Sequence, residues 1–119
     1  MKKSIVREKS KVFALSIINL YKHLTTNKKE YVISKQILRS GTSIGANVNE
    51  ALCSISKKEY LSKMYISYKE VSESQYWLEL LKESNYINEC EFDSLNKKCE
   101  ELRKILSSIT KTTRESLNS

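Results

Sequence analysis

Proline is absent from this chain of 119 residues, and glycine occurs only twice, as Gly41 and Gly45. Proline stops a helix and glycine weakens one, so almost nothing here interrupts helical structure. No run of 18 apolar residues occurs, which excludes a membrane-spanning helix. The basic start, Met1-Lys2-Lys3, is not followed by a continuous apolar block, so no signal peptide is expected. The three cysteines, Cys53, Cys90 and Cys99, are odd in number and lack CxxC spacing. That argues against a disulfide framework or a zinc site and for reduced thiols in a cytoplasmic protein. The single histidine, His23, has Leu20 three residues before it, so the Glu-x-x-His pair of a di-iron bundle is missing. A Ser-His-Asp triad would have to join His23 to Asp93, the only aspartate, without a nucleophile elbow. The expectation is a protein with no catalytic residue, no metal ligand and no cofactor.

What is present is periodic. Charged residues make up 29% and hydrophobic residues 39%, enough to fold one domain with its own core. Val6, Phe13, Ile17, Leu20 and Leu24 step by seven, four, three and four, which predicts a first helix over 4–26 with Leu15, Ile18 and Tyr21 widening its stripe. A polar loop follows over 25–30. A second helix is predicted over 31–53, with Ile33, Ile37, Ile44, Val48 and Ala51 on one face. Ser56-Lys57-Lys58-Glu59 has the form of a capping box and opens a third helix that runs to Ser84. Its seam reads Leu61, Met64, Tyr68, Val71, Gln75 and Leu78. A second apolar set on the same helix, Tyr65, Ile66, Tyr76, Trp77, Leu80 and Leu81, is either a wide stripe inside one bundle or a subunit interface. Asn88 three before Glu91 caps a fourth helix carrying Phe92, Leu95, Cys99, Leu102, Leu106 and Ile109. After Thr110 the chain turns polar and is expected to fray, leaving a bundle over 1–114 and a tail over 115–119. Four helices with short loops predict an all-α fold, an antiparallel up-down-up-down four-helix bundle.

Both glycines fall in Leu38–Leu52, four residues apart and so on one helical face. A helix that accepts two of them, at roughly 1 kcal/mol each, needs bare backbone for close approach of a neighbour. Gly41 and Gly45 are therefore read as a tight helix seam. A phosphate loop would need a preceding strand, a lysine and a following Ser/Thr, none of which fits here.

The run Leu38-Arg39-Ser40-Gly41-Thr42-Ser43-Ile44-Gly45-Ala46-Asn47, then Glu50-Ala51, Lys69-Glu70 and Tyr76-Trp77-Leu78 with Leu81, resembles the four-helix-bundle proteins of the 23S rRNA intervening-sequence family. The likeness covers nearly the whole chain. It implies a bacterial cytoplasmic protein that assembles as a homopentamer and has no assigned catalysis. Relatives serve as accessory proteins of diversity-generating retroelements, where they bind a reverse transcriptase and nucleic acid. Arg39, Asn47, Glu50 and Glu70 lie in the matching segments and are expected to form a polar network, between helices two and three or between subunits. Tyr65, Tyr76 and Trp77 join them as interface candidates. The chain departs from the family pattern at Asn49, where an apolar residue or alanine is common, and at Leu52, where a small residue is usual.

The net charge is +7. An up-down bundle gathers Lys2, Lys3, Arg7, Lys9, Lys11, Lys57, Lys58, Lys63, Arg103, Lys104, Lys111 and Arg114 at one end, twelve cations against six carboxylates. The opposite end nets −2 and the middle +3. The basic end is the candidate surface for an RNA or DNA backbone. The alternative is a structural or protein-interaction module whose partner is itself or a larger protein such as a reverse transcriptase. No membrane partner is expected.

Overall fold

The computed structural model describes residues 4–119. Four helices fill it: α1 (Ile5–Thr26), α2 (Ile33–Leu52), α3 (Lys57–Glu83) and α4 (Glu89–Asn118), with no strand among the described residues. The helices form a rod 50 × 24 × 21 Å in extent.

Local chemistry sets the ends. Ser4, Ser56 and Asn88 stand in extended conformation and accept from the amides of Arg7, Glu59 and Glu91. At Asn88 the capping box is complete, because the Glu91 carboxylate accepts from the Asn88 amide in return. At Ser56 the return bond is displaced: Glu59 accepts from the amide of Ile55 at 3.2 Å. α3 stops where Asn85 takes a left-handed φ of 67°, letting the Tyr86 and Asn85 amides reach back to the carbonyls of Leu81 and Lys82.

α2 begins two residues later than its sequence pattern suggests. Glu30, in the segment read as a plain polar loop, is 7% exposed. Its carboxylate accepts from the amides of Val32, Ile33 and Ser34 at 3.1, 2.9 and 2.7 Å. Those are orphan donors of the first helical turn. Burial pushes the Glu30 carboxyl up, but the bonds from these amides and the Ser34 side chain outweigh it and leave the group below its usual 4.5.

Neighbouring helices run antiparallel, as the pairings show. Gly41 and Gly45 of α2 face Ile17 and Ser10 of α1. Between α2 and α3, Ser40 bonds Ser74 and the Ser67 hydroxyl donates to the Ile44 carbonyl, each at 2.8 Å. Gln75 of α3 donates to Asn96 and Glu100 of α4, and Lys9 of α1 meets Glu101 of α4. The helices thus follow one another round the bundle.

Val6, Phe13, Ile17, Leu20 and Leu24 of α1 are buried, as are Ile37, Ile44, Val48 and Ala51 of α2 and Cys99, Leu102 and Leu106 of α4. Of the residues expected to widen the α1 stripe, Ile18 and Tyr21 are half-buried and Leu15 is exposed, turned away from the core. The α3 seam is rotated from the expected one. Met64, Val71 and Leu78 are buried, but Ser67, Ser74 and Leu81 complete the buried row, while Tyr68 and Gln75 are half-buried toward α4. The reason is that α2 approaches α3 closely, and small hydroxyls with partners fit where larger side chains do not. Beyond Thr110, where fraying was expected, α4 continues in helical form to Asn118 with only Thr113 half-buried.

Candidate nucleic-acid interface

The basic end is built by the start of α1, the end of α2, the start of α3 and the end of α4. Lys2 and Lys3 lie outside the described residues. Three of the other cations are matched by carboxylates: Lys9 with Glu101 at 2.7 Å, Lys63 with Glu50 at 2.9 Å and Arg103 with Glu100 at 3.5 Å. The Gln75 amide, and after it Arg103 and Lys104, hold the Glu100 carboxyl low; the bond and charge of Lys9 do the same for Glu101. Arg7 donates to the Asn49 side chain at 2.8 Å, and Lys57 to the Ser116 hydroxyl. Asn49 is therefore what orients Arg7. Lys11, Lys58, Lys104, Lys111 and Arg114 are exposed and have no carboxylate within 4 Å among the described residues, although the charge of Lys104 is felt by Glu100. Arg103, Lys104, Ser107, Ser108 and Lys111 line a shallow depression on the outer side of α4.

The same end carries apolar side chains that periodicity alone did not flag. Ile55, in the turn before α3, is 96% exposed, and Ile5, Leu52 and Leu117 are exposed nearby on their helix ends.

The expected polar network forms in part. Arg39 of α2 reaches Glu70 of α3 at 3.4 Å and pairs with Glu73. The Trp77 indole donates to the same Glu73 oxygen at 2.9 Å, and the Tyr76 ring lies 5.1 Å from that of Trp77. Asn47 and Glu50 stay outside it: Asn47 donates to the Ser43 carbonyl of its own helix, and Glu50 holds Lys63. They sit two and three turns further along α2, beyond the reach of Arg39. Tyr65 stacks on Tyr68 at 6.1 Å, with the Lys69 ammonium 5.9 Å from its ring. Tyr65 and Tyr76 are exposed, on the outer side of α3.

Elsewhere His23 lines a surface cleft between α1 and α4 with Cys90 and Glu91, and its ring bonds the Asn27 side chain. No cluster that could hold a metal ion occurs among the described residues, and no described helix is long and apolar enough to cross a membrane. Cys99 is buried, and burial, aided by the negative charge of Glu100, pushes its thiol up to about 12. Cys53 and Cys90 are exposed, one near each end of the rod.

The family profile of the 23S rRNA-intervening sequence protein matches residues 2–108. The chain belongs to this family. A crystal structure of a protein of unknown function from the S23 ribosomal protein family, from Bacteroides thetaiotaomicron, is 48% identical. It superposes with a TM-score of 0.89, covering 90% of this chain and 99% of that one. No curated protein matches the chain. The segments resembling the 23S rRNA-intervening sequence family in the sequence lie on α2 and α3 and include the glycine contact of α2 with α1, the Ser40–Ser74 bond and the Arg39 pairs.

Proposed function

We propose that this member of the 23S rRNA-intervening sequence family is a non-enzymatic, cytoplasmic, oligomeric bundle that holds a nucleic-acid backbone, RNA or DNA, on its basic end. The observation that carries the reading is that Lys58, Lys111 and Arg114, on the helix ends that meet at one end of the rod, are exposed and have no carboxylate within 4 Å among the described residues. Unmatched cations gain most from phosphate, because they release its counterions on binding without first giving up a carboxylate. The ribosomal wording in the names of the family and of the Bacteroides protein is consistent with this.

Fluorescence anisotropy with a structured RNA tests it. The variant Lys58→Glu/Lys111→Glu/Arg114→Glu is expected to bind at least about tenfold more weakly, and wild-type affinity to fall steeply with salt. Lys28→Glu, at the opposite end, is expected to change binding less than about twofold. Absence of wild-type binding at low salt would remove the reading.

A second reading, a module for protein contact, is favoured by the exposed Ile55, Leu52, Ile5 and Leu117 at the same end. Self-association belongs with either. The Arg39 network and the exposed Tyr65 and Tyr76 form the surface we assign to contact between copies, in the pentamer expected of the family. Arg39 is 49% exposed at its side chain, so losing its pairs alters the monomer fold by less than about 1 kcal/mol. Arg39→Ala is therefore expected to lower the mass measured by light scattering while leaving helicity unchanged. An unchanged oligomer would dismiss this surface.

A further inference from the structure

We propose that the basic end takes a nucleic-acid duplex in preference to a single strand. This rests on the backbone-binding reading above and follows from how the cations are arranged on α4. Lys97, Lys104 and Lys111 recur at intervals of seven residues and are exposed. They form one line along the outer side of the helix, with successive members about 10 Å apart. Arg103 and Arg114 are also exposed, Arg103 in a surface pair with Glu100 at 3.5 Å that is weak enough for a phosphate to compete with. They lie roughly a quarter turn round, on the flank from which Glu100 reaches Gln75 of α3. Lys58, at the start of α3, is at the same end of the rod. Glu100 stands on this flank too, but its carboxylate is occupied by Gln75 and Arg103.

Two rows of cations therefore run along one rigid helix, a quarter turn apart and so roughly 7–8 Å from each other at the side-chain surface. A duplex presents two phosphate rows facing each other across grooves of about 6 and 12 Å in B-form DNA. A single strand presents one row and leaves the other line of cations unused. A single strand also gains from aromatic side chains on which unpaired bases stack. The only aromatic residue of α4 is Phe92, at the opposite end of the rod, and the exposed Tyr65 and Tyr76 are on α3. The face offers charge at fixed spacing and no stacking platform, which suits a paired backbone.

The test compares anisotropy binding of an unstructured RNA strand with that of the duplex it forms with its complement, about two helical turns long, at ~0.05 M salt. A DNA duplex of the same sequence forms a third arm. The duplexes are expected to bind at least about tenfold more tightly than the single strand. Lys104→Glu/Lys111→Glu and Arg103→Glu/Arg114→Glu disable one row each, with folding checked by circular dichroism. Each is expected to weaken duplex binding at least about tenfold and to reduce its salt slope by roughly two. A single strand binding as tightly as the duplex, or a row whose reversal leaves duplex binding unchanged, would overturn the duplex assignment while leaving backbone binding intact. Failure of every probe to bind at low salt would instead overturn the underlying function.

Discussion

Gly41→Leu is expected to lower the melting temperature by about 10–15 °C in circular dichroism or calorimetry. A Cβ placed on Gly41 would stand 2.9, 3.0 and 3.2 Å from the Cγ1, Cγ2 and Cβ atoms of Ile17. Ile17 is fully buried and branched at Cβ, so it has no flexible end to move aside. α1 and α2 must separate, and such overpacking costs about 1–3 kcal/mol or more. Alanine tests the same point more gently, because its better helix propensity returns about 1 kcal/mol. Gly45 is the internal control. A Cβ there meets the Ser10 hydroxyl at 3.3 Å and its backbone only at 3.7 Å. Gly45→Ala is therefore expected to shift stability by less than about 0.5 kcal/mol, steric crowding and helix propensity nearly cancelling. Equal effects at the two glycines would refute the assignment of the close contact to Gly41.

Glu30→Ala is expected to destabilise the fold by about 2 kcal/mol at neutral pH, since it leaves amide donors of the α2 start without their acceptor. The effect is pH-dependent with a definite sign. The folded carboxyl lies below its usual 4.5. Its contribution is thus fully present above that value and is lost as the pH falls through the folded one. Urea denaturation of wild type and Glu30→Gln should show a gap at pH 7 that narrows below about pH 4.5. A gap constant across that range would mean that packing, and not the carboxylate, makes the difference.

Glu30 also marks where sequence reasoning stopped. The usual capping residues are Ser, Thr, Asp and Asn, and none of them stands at the N-cap of α2. Glutamate does the same work here from a turn in which Lys29 takes a left-handed φ of 56° and the Glu30 amide donates back to the Leu24 carbonyl of α1. Nothing in the pattern of apolar residues encodes that turn. By contrast, Phe13, Ile17, Ile44 and Leu106 were legible as core because wide apolar stripes have few ways to hide from water. The α3 seam was legible in period but not in rotation. The three-four period allows either row, Tyr68 with Gln75 or Ser67 with Ser74, and the closeness of α2 decides that the serines face it. The candidate interface divides similarly. The clustering of cations follows from topology and the order of charges, but which of them are free depends on side-chain pairs such as Lys9–Glu101. The exposed Ile55 belongs to a turn, where periodicity carries no information about burial.

The inequality among the thiols has a practical corollary. Cys99, shut in the interior and with almost no thiolate at neutral pH, should ignore maleimides, while Cys53 and Cys90 react. Nature has thereby supplied two labelling points, one near each tip of a 50 Å rod. A fluorophore on Cys53 in a Cys90→Ser background, compared with the reverse, would report which tip a bound molecule shields without any residue of the basic surface being altered.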